Sequence, residues 1–490
     1  MILFLLKTKN YKLKTSGGAL LVQVLVFATV GSVLLGALAL WGVASLNATR
    51  KAVLREQAFH IAEAGIEYYR WHLAHFQNDY QDGTGHVGPY VHTYQDKLGN
   101  TIGSYSLTIT PPPLGATTVV ITSIGSVAED SSITRKVQAT LALASFAKYA
   151  ILTDSSMVMG TGAQSYGLVH SNHGIQFNGV AHNIVSAAID TYDDDGHTER
   201  IGVNTNVSPV DPVPPVQSIP SRPDVFLAGR QFPPFYTVPA VSFASLTATM
   251  LDLKTKSLTS SGFHLSKAGG NSAGYHIVLK INGTFDVYNV DKLVPRGSCP
   301  SNGGQSGWEL GAIDTETKLS TNNYPANGII FVEDDLWIDG QVNNTRVTLA
   351  AGSFSGQEKN ITINHGIRYT NYDGTDVIGI FGQNNINIGW QSDDNLRIDA
   401  ALIAKDGSVQ RFKFDKKEGD DDKCSPYDTR ASLYLYGSMT SFDRPGFAYA
   451  DGTGYQTRTY VYDQNLFYSP PPSFPLVSSN YALLKWREIQ

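Results

Sequence analysis

The sequence predicts an α+β segment followed by an all-β body: a long N-terminal helix packed on a small antiparallel sheet, then a large β-rich domain. Three observations carry this. Residues Gly18 to Leu46 hold no charged side chain and run, without a proline, into good helix formers that continue to about Asn78. Three segments of period-two alternation follow, between residues 103 and 143. From residue 146 onward, short apolar runs recur between Gly, Asn and Asp turns.

Composition bounds the rest. A chain of 490 residues is long enough for two or three domains. A net charge of -6 gives no basic footprint for nucleic acid. Only 16% of residues are charged, while 46 Gly, 25 Tyr and 21 Phe suit a β-rich extracytoplasmic protein. The two cysteines, Cys299 and Cys424, have two readings: unrelated thiols, or in an oxidising compartment a disulfide whose long loop is worth ~4 kcal/mol. Zinc-type spacing and cofactor signatures are absent from the sequence, so no cofactor is expected.

The uncharged run exceeds the ~20 residues that cross a bilayer core. Lys7, Lys9, Lys12 and Lys14 stand directly before it, and Arg50, Lys51 and Arg55 lie further out on the other side. The positive-inside rule then puts the N-terminus in the cytoplasm and everything after residue 50 outside. A cleaved secretory signal competes, but its apolar core would span only ~7–15 residues. A plain single-pass anchor is the other alternative. The expected divisions are a basic leader at 1–18, a membrane helix at 19–46, a helix with antiparallel strands at 47–145, and an outer body at 146–490.

Lys12-Leu-Lys-Thr-Ser-Gly17-Gly18, followed by Ala19-Leu-Leu-Val-Gln23, resembles the leader and mature start of a type IV prepilin. In that family a short basic leader ends in glycine and is cut by a dedicated inner-membrane peptidase. The resemblance implies a cut after Gly18, or after Gly17, leaving Ala19 or Gly18 as the new N-terminus. The family usually carries Glu at the fifth mature position. Here it is Gln23, or Val22 with the earlier cut, which suits a minor pilin better than a bulk subunit.

Phe59-His-Ile-Ala62-Glu63-Ala64-Gly65-Ile66-Glu67 is similar to the AEAGIE signature after the anchor of PilX-like proteins. Ala58, Ile61, Ala62, Gly65, Ile66 and Tyr69 share one helical face, and Ala and Gly there permit close approach of the chain's own sheet or a neighbouring helix. Glu63 and Glu67 read as solvated groups. Strands are expected at Gly103–Thr110, Thr117–Gly125 and Ile133–Leu143, closing a pilin-like head near Ser145.

The body reads as an irregular β-solenoid, with a β-sandwich as second choice. Its expected strands include Gly167–His170, Gly174–Gly179, Gly328–Glu333, Asp335–Asp339, Arg346–Ala350, Val377–Phe381, Leu396–Ala404 and Leu433–Gly437. One helix-like window lies at Phe243–Ser260, and a Pro-rich excursion off the scaffold occupies about 205–240. Val169-His-Ser-Asn-His-Gly-Ile-Gln-Phe-Asn-Gly179, Gly437-Ser-Met439, Tyr462-Asp-Gln-Asn-Leu466 and Pro470-Pro-Pro-Ser-Phe-Pro475 resemble segments of the PilX-like outer domain.

Chemistry-bearing clusters are sparse. Asp193 and Asp195, within Asp190-Thr-Tyr-Asp-Asp-Asp-Gly-His197, form a partial calcium-loop pattern, without its full spacing or its bidentate Glu; a solvated acidic loop is the plainer reading. Asp420, Asp421 and Asp422 form another acidic run, and His170 and His173 flank Asn172 as rung histidines. Tyr434, Tyr436, Tyr449, Tyr455, Tyr460, Tyr462 and Tyr468 crowd the C-terminal end as an aromatic adhesive candidate. Leu293-Val-Pro-Arg-Gly-Ser298 spells a thrombin sequence and is read as chance.

The resemblance implies a minor pilin that assembles or primes a type IV pilus or pseudopilus. Its partners would be other pilins, the pilus assembly machinery, the prepilin peptidase and the membrane along 19–46, with adhesion to a surface ligand at the tip. A stand-alone anchored adhesin is the alternative, and a β-helix glycan lyase the third. No catalytic motif supports an enzyme.

Overall fold

The structure, a computed structural model, describes residues 17–295, 299, 311–414, 424–477 and 480–489. The leader lysines, Arg296 to Ser298 of the thrombin-like sequence and Asp420 to Asp422 lie outside the described residues.

Helix α1 runs unbroken from Gly17 to His75, 59 residues or roughly 88 Å at 1.5 Å per residue. Its second half lies on an antiparallel sheet of β1 (Tyr90–Gln95), β2 (Thr101–Thr110), β3 (Val119–Val127), β4 (Thr134–Ala142) and β5 (Ala482–Ile489), in spatial order β1-β2-β3-β4-β5. Three of these strands are legible from alternation alone. β1 was not anticipated, and β5 revises the domain division, because the chain returns from the body to pair Leu483 with Leu141 and Ile489 with Lys136. Ile61, Ala62, Ile66, Tyr69 and Leu73 of α1 close the core against Leu107, Ile121, Val137, Ala139 and Leu141.

The contact between helix and sheet is close enough to require glycine from both sides. A Cβ on Gly65 would lie 2.4 Å from Ser123 Oγ, and one on Gly125 would lie 2.1 Å from the Ala58 carbonyl oxygen. Both are far inside van der Waals contact, so the small residues of the AEAGIE segment serve packing within this chain.

In the body, short strands stack in parallel ladders. One runs through Phe263, Ile330, Leu349, Ile380, Leu402, Met439, Ile151, Val169 and Val185. A second joins Tyr275, Leu336, Ile361, Ile386 and Val409. A third joins Gly340, Ile367, Ile398, Leu435, Tyr460, Ser165 and Ala181. Most of these apolar residues meet in one buried core. The stacking order is not the chain order: the chain lays down residues 151–204, leaves for the far end near Phe263, and returns until Met439 stacks on Ile151.

Both ends of the stack are covered, as exposed strand edges require. The Pro-rich segment, expected as an excursion off the scaffold, instead caps one end. Val225, Phe226 and Phe232 are buried there, and Asp211 holds Arg230 while accepting from Thr205 N. At the other end an antiparallel ribbon, Gly274–Leu279, Thr284–Leu293 and Ile313–Asn323, extends the sheet. The outer face of the first ladder is sealed by α2 (Ser245–Ser257), whose Leu246, Met250 and Leu253 meet Phe331, Phe381 and Ile403.

Head and body are joined by Arg346. Its guanidinium donates to Leu114 O of the head at 2.9 Å, Gly374 O at 2.7 Å and Pro470 O at 2.7 Å. Cys299 and Cys424 form a disulfide with Cα atoms 4.6 Å apart, packed with Phe412 and Phe414.

Candidate functional site

The most extended exposed apolar surface among the described residues is the first half of α1. None of residues 20–53 is buried, and Leu21, Phe27, Val33, Leu35, Leu40, Trp41 and Leu46 are each 70% exposed or more. This segment is the one described helix long and apolar enough to cross a membrane, with a most apolar window of mean hydropathy 2.3. Isolated in water such a helix would be costly on every side, since an all-round apolar helix is stable only in apolar surroundings. Gln23 is exposed on this stem.

Below the stem the character changes within a turn. Leu54 and Ala58 are buried against Val127, and Arg50 forms an ion pair with Glu129 at the rim of the head. Of the signature residues, Ala62, Gly65 and Ile66 are buried and Ala64 half-buried. Glu63 faces His60, 3.1 Å away, and Glu67 accepts from Arg70 at 2.6 Å, both at the helix surface. The base of the helix is fixed by Asp79, whose carboxylate accepts from Gln81 N at 2.8 Å and Gly83 N at 2.6 Å and lies 3.0 Å from His72 Nε2. Burial raises the Asp79 pKa, but these hydrogen bonds outweigh it and hold the group below its ordinary value.

The body motifs singled out in the sequence prove to be scaffold. Asn172 clasps Val241 through both backbone groups, at 2.7 and 2.8 Å, pinning the segment that leads to α2. His170 lies between Ser186 Oγ at 3.0 Å and Asn172 Oδ1 at 3.3 Å, and burial pushes its pKa down to about 4. His173 has its backbone N–H bound by Ser171 Oγ in the following turn. The Pro470–Pro475 segment crosses the first ladder, where Thr348 donates to Pro472 O at 2.6 Å, and leads the chain toward the head. Asp463 caps the short helix Gln464–Phe467 through Asn465 N.

Two weaker candidates from the sequence can now be placed. Asp193 and Asp195 do not converge: Asp195 pairs with Arg444, while Asp193 lies 3.8 Å from His197, and Asp194 between them is bound by Arg200. Among the described residues no cluster of three or more His, Cys, Asp or Glu could hold a metal ion. The C-terminal tyrosines form no outward patch. Tyr455 and Tyr460 are fully buried, Tyr434, Tyr436, Tyr449 and Tyr462 are half-buried in packing, and Tyr468 alone of the seven is well exposed, at 41%. Ladder stacking turned them inward or against neighbours, which residue type alone does not disclose.

Sequence reasoning missed one cavity, of about 340 Å³, on the outer side of the second ladder. Its walls include His276, Asp314, Glu316, Asp339, Asn364 and His365. His276 Nδ1 lies 2.7 Å from Glu316 and Nε2 lies 3.0 Å from Asp339. Burial lowers the His276 pKa, but the two carboxylates together raise it above its ordinary value. The partners are 40 and 63 residues away, so no local spacing announces them.

No family model matches the chain, and no curated protein is similar to it. Among solved structures, it is similar to the competence-associated pilin ComZ from Thermus thermophilus at 15% identity, with a TM-score of 0.29, covering 89% of this chain and 97% of that one. A likeness that low carries no argument about this protein, and the reading below rests on residues and geometry.

Proposed function

We propose that this protein is a membrane-anchored, pilin-like subunit with a large outer domain, acting in the assembly or priming of a type IV pilus or pseudopilus. The observation that carries the reading is the division of one helix: an apolar stem without partners among the described residues, continuous with an amphipathic half fastened to a small antiparallel sheet. The stem rests in the bilayer along residues 19–46, N-terminus cytoplasmic, and passes later into a bundle of neighbouring stems. Both surroundings are apolar, so the transfer exposes little apolar surface to water. Gln23 in place of a carboxylate supports a minor, PilX-like subunit. The parallel pairing of the body strands supports an irregular β-solenoid over a sandwich, whose sheets are antiparallel. The body serves as an exposed module and not as a catalyst.

Intact-mass spectrometry of the protein purified from membranes tests this. A mature chain beginning at Ala19 or Gly18 is expected; a retained leader would assign the protein to the stand-alone anchored adhesins.

A further inference from the structure

We propose that the cavity beside His276 binds a saccharide unit bearing a free amine. This inference rests on the body alone and stands or falls apart from the pilus reading.

The cavity lies where the end ribbon meets the second ladder. Outward-facing His276, Trp337 and Thr362 occupy successive, directly paired positions of that ladder and form the floor. The Ala312–Glu316 stretch forms one wall, and Asn364, His365 and Gln391 another. At about 340 Å³ the space is within the range of small-ligand sites.

Its chemistry is rich in acceptors. Asp314, Glu316 and Asp339 contribute three carboxylates, and no Lys or Arg is among the lining residues. His276 occupies one oxygen each of Glu316 and Asp339. Glu316 Oε1, Asp339 Oδ1 and the Asp314 carboxylate make no hydrogen bond or ion pair among the described residues. Asn364, 6% exposed, donates to Gly311 O at 3.0 Å and keeps its Oδ1 buried against Gly389, so the open acceptors are the carboxylates. A wall of open acceptors selects a ligand with many donors, and the surplus negative charge selects a cation among them. An ammonium set among ring hydroxyls satisfies both. A uronate would meet like charge, and an N-acetylated sugar lacks the cation.

The test is calorimetric titration of the full-length protein in detergent at about pH 6, where a sugar amine is protonated. The probes are a glucosamine trisaccharide, its N-acetylated form, a galacturonate trisaccharide and putrescine. The glucosamine trimer is expected to bind at least about tenfold more tightly than the other three, as loss of one charge-assisted hydrogen bond implies. Asp339→Asn should weaken it about tenfold. Asp339 also holds His276, so Asp314→Asn, at an exposed residue free of partners among those described, separates binding from folding; it should weaken the trimer with the circular dichroism spectrum unchanged. No heat with the glucosamine trimer, equal binding of the acetylated trimer, galacturonate or putrescine, or unchanged binding in both variants would overturn the proposal.

Discussion

The two halves of α1 share one backbone conformation and differ in everything their side chains meet. A Cβ on Gly31, Gly36 or Gly42 in the first half would meet nothing within 4 Å, while Gly65 in the second half faces Ser123 and Tyr105 so closely that no Cβ fits. Glycine in an exposed helix interior costs about 1 kcal/mol relative to alanine. These three glycines therefore weaken the stem in water without any compensating contact among the described residues. In a bilayer that weakness is masked, because an unsatisfied backbone there is far more costly than glycine's entropy. The same residue type thus marks a packing contact in one half and, in the other, a helix that depends on its surroundings.

Substitutions can break this contrast at either end. The largest effect on folding is expected from Gly125→Leu, which drives a side chain into the Ala58 carbonyl; thermal unfolding should show a loss of about 3 kcal/mol or more. Gly36→Leu, with nothing within 4 Å, should leave the unfolding temperature of the head unchanged. Comparable in size but opposite in readout, Leu35→Arg should oppose membrane insertion by about 3 kcal/mol, seen as protein lost from the membrane fraction, with the head unaffected.

Acid should distinguish the halves as well. No titratable side chain lies between Gly18 and Leu46. Asp79, by contrast, is held below its ordinary pKa at the foot of the second half. A depressed carboxylate contributes stability that is complete above its unfolded pKa and is lost as pH falls through the folded one. Amide exchange near residues 69–83 should therefore quicken below about pH 4, and Asp79→Asn should remove that dependence at a cost of about 1 kcal/mol. The smallest effect is expected at the junction: Arg50→Ala removes an exposed ion pair with Glu129, worth less than about 1 kcal/mol and weaker still in high salt.

Much of this contrast was legible in the sequence, since burial of Ala58, Ile61, Ala62, Gly65, Ile66 and Tyr69 follows from helical periodicity. Strand positions in the body were legible too; Arg346–Ala350, for example, was expected and Arg346–Ala351 is observed. Long-range pairing was not. Nothing in the local pattern says that Met439 stacks on Ile151, or that Ala482–Ile489 leaves the body to complete the head, because parallel pairing and edge addition carry no turn signal. The Pro-rich stretch misled for a related reason: its composition suggests an excursion off the scaffold, while its Val225, Phe226 and Phe232 seal the end of the stack. The His276 cavity is assembled from residues of distant rungs and was invisible for the same cause.

Nitroxide scanning of the full-length protein in lipid vesicles tests the division of α1 most directly. Labels placed singly along residues 24–40 should all show high oxygen and low aqueous-relaxant accessibility, with no 3.6-residue period, while labels along 54–73 should alternate between immobile and mobile with that period. A 3.6-residue pattern of protein contact across 24–40 would contradict the account, because it would place the stem against the protein's own fold.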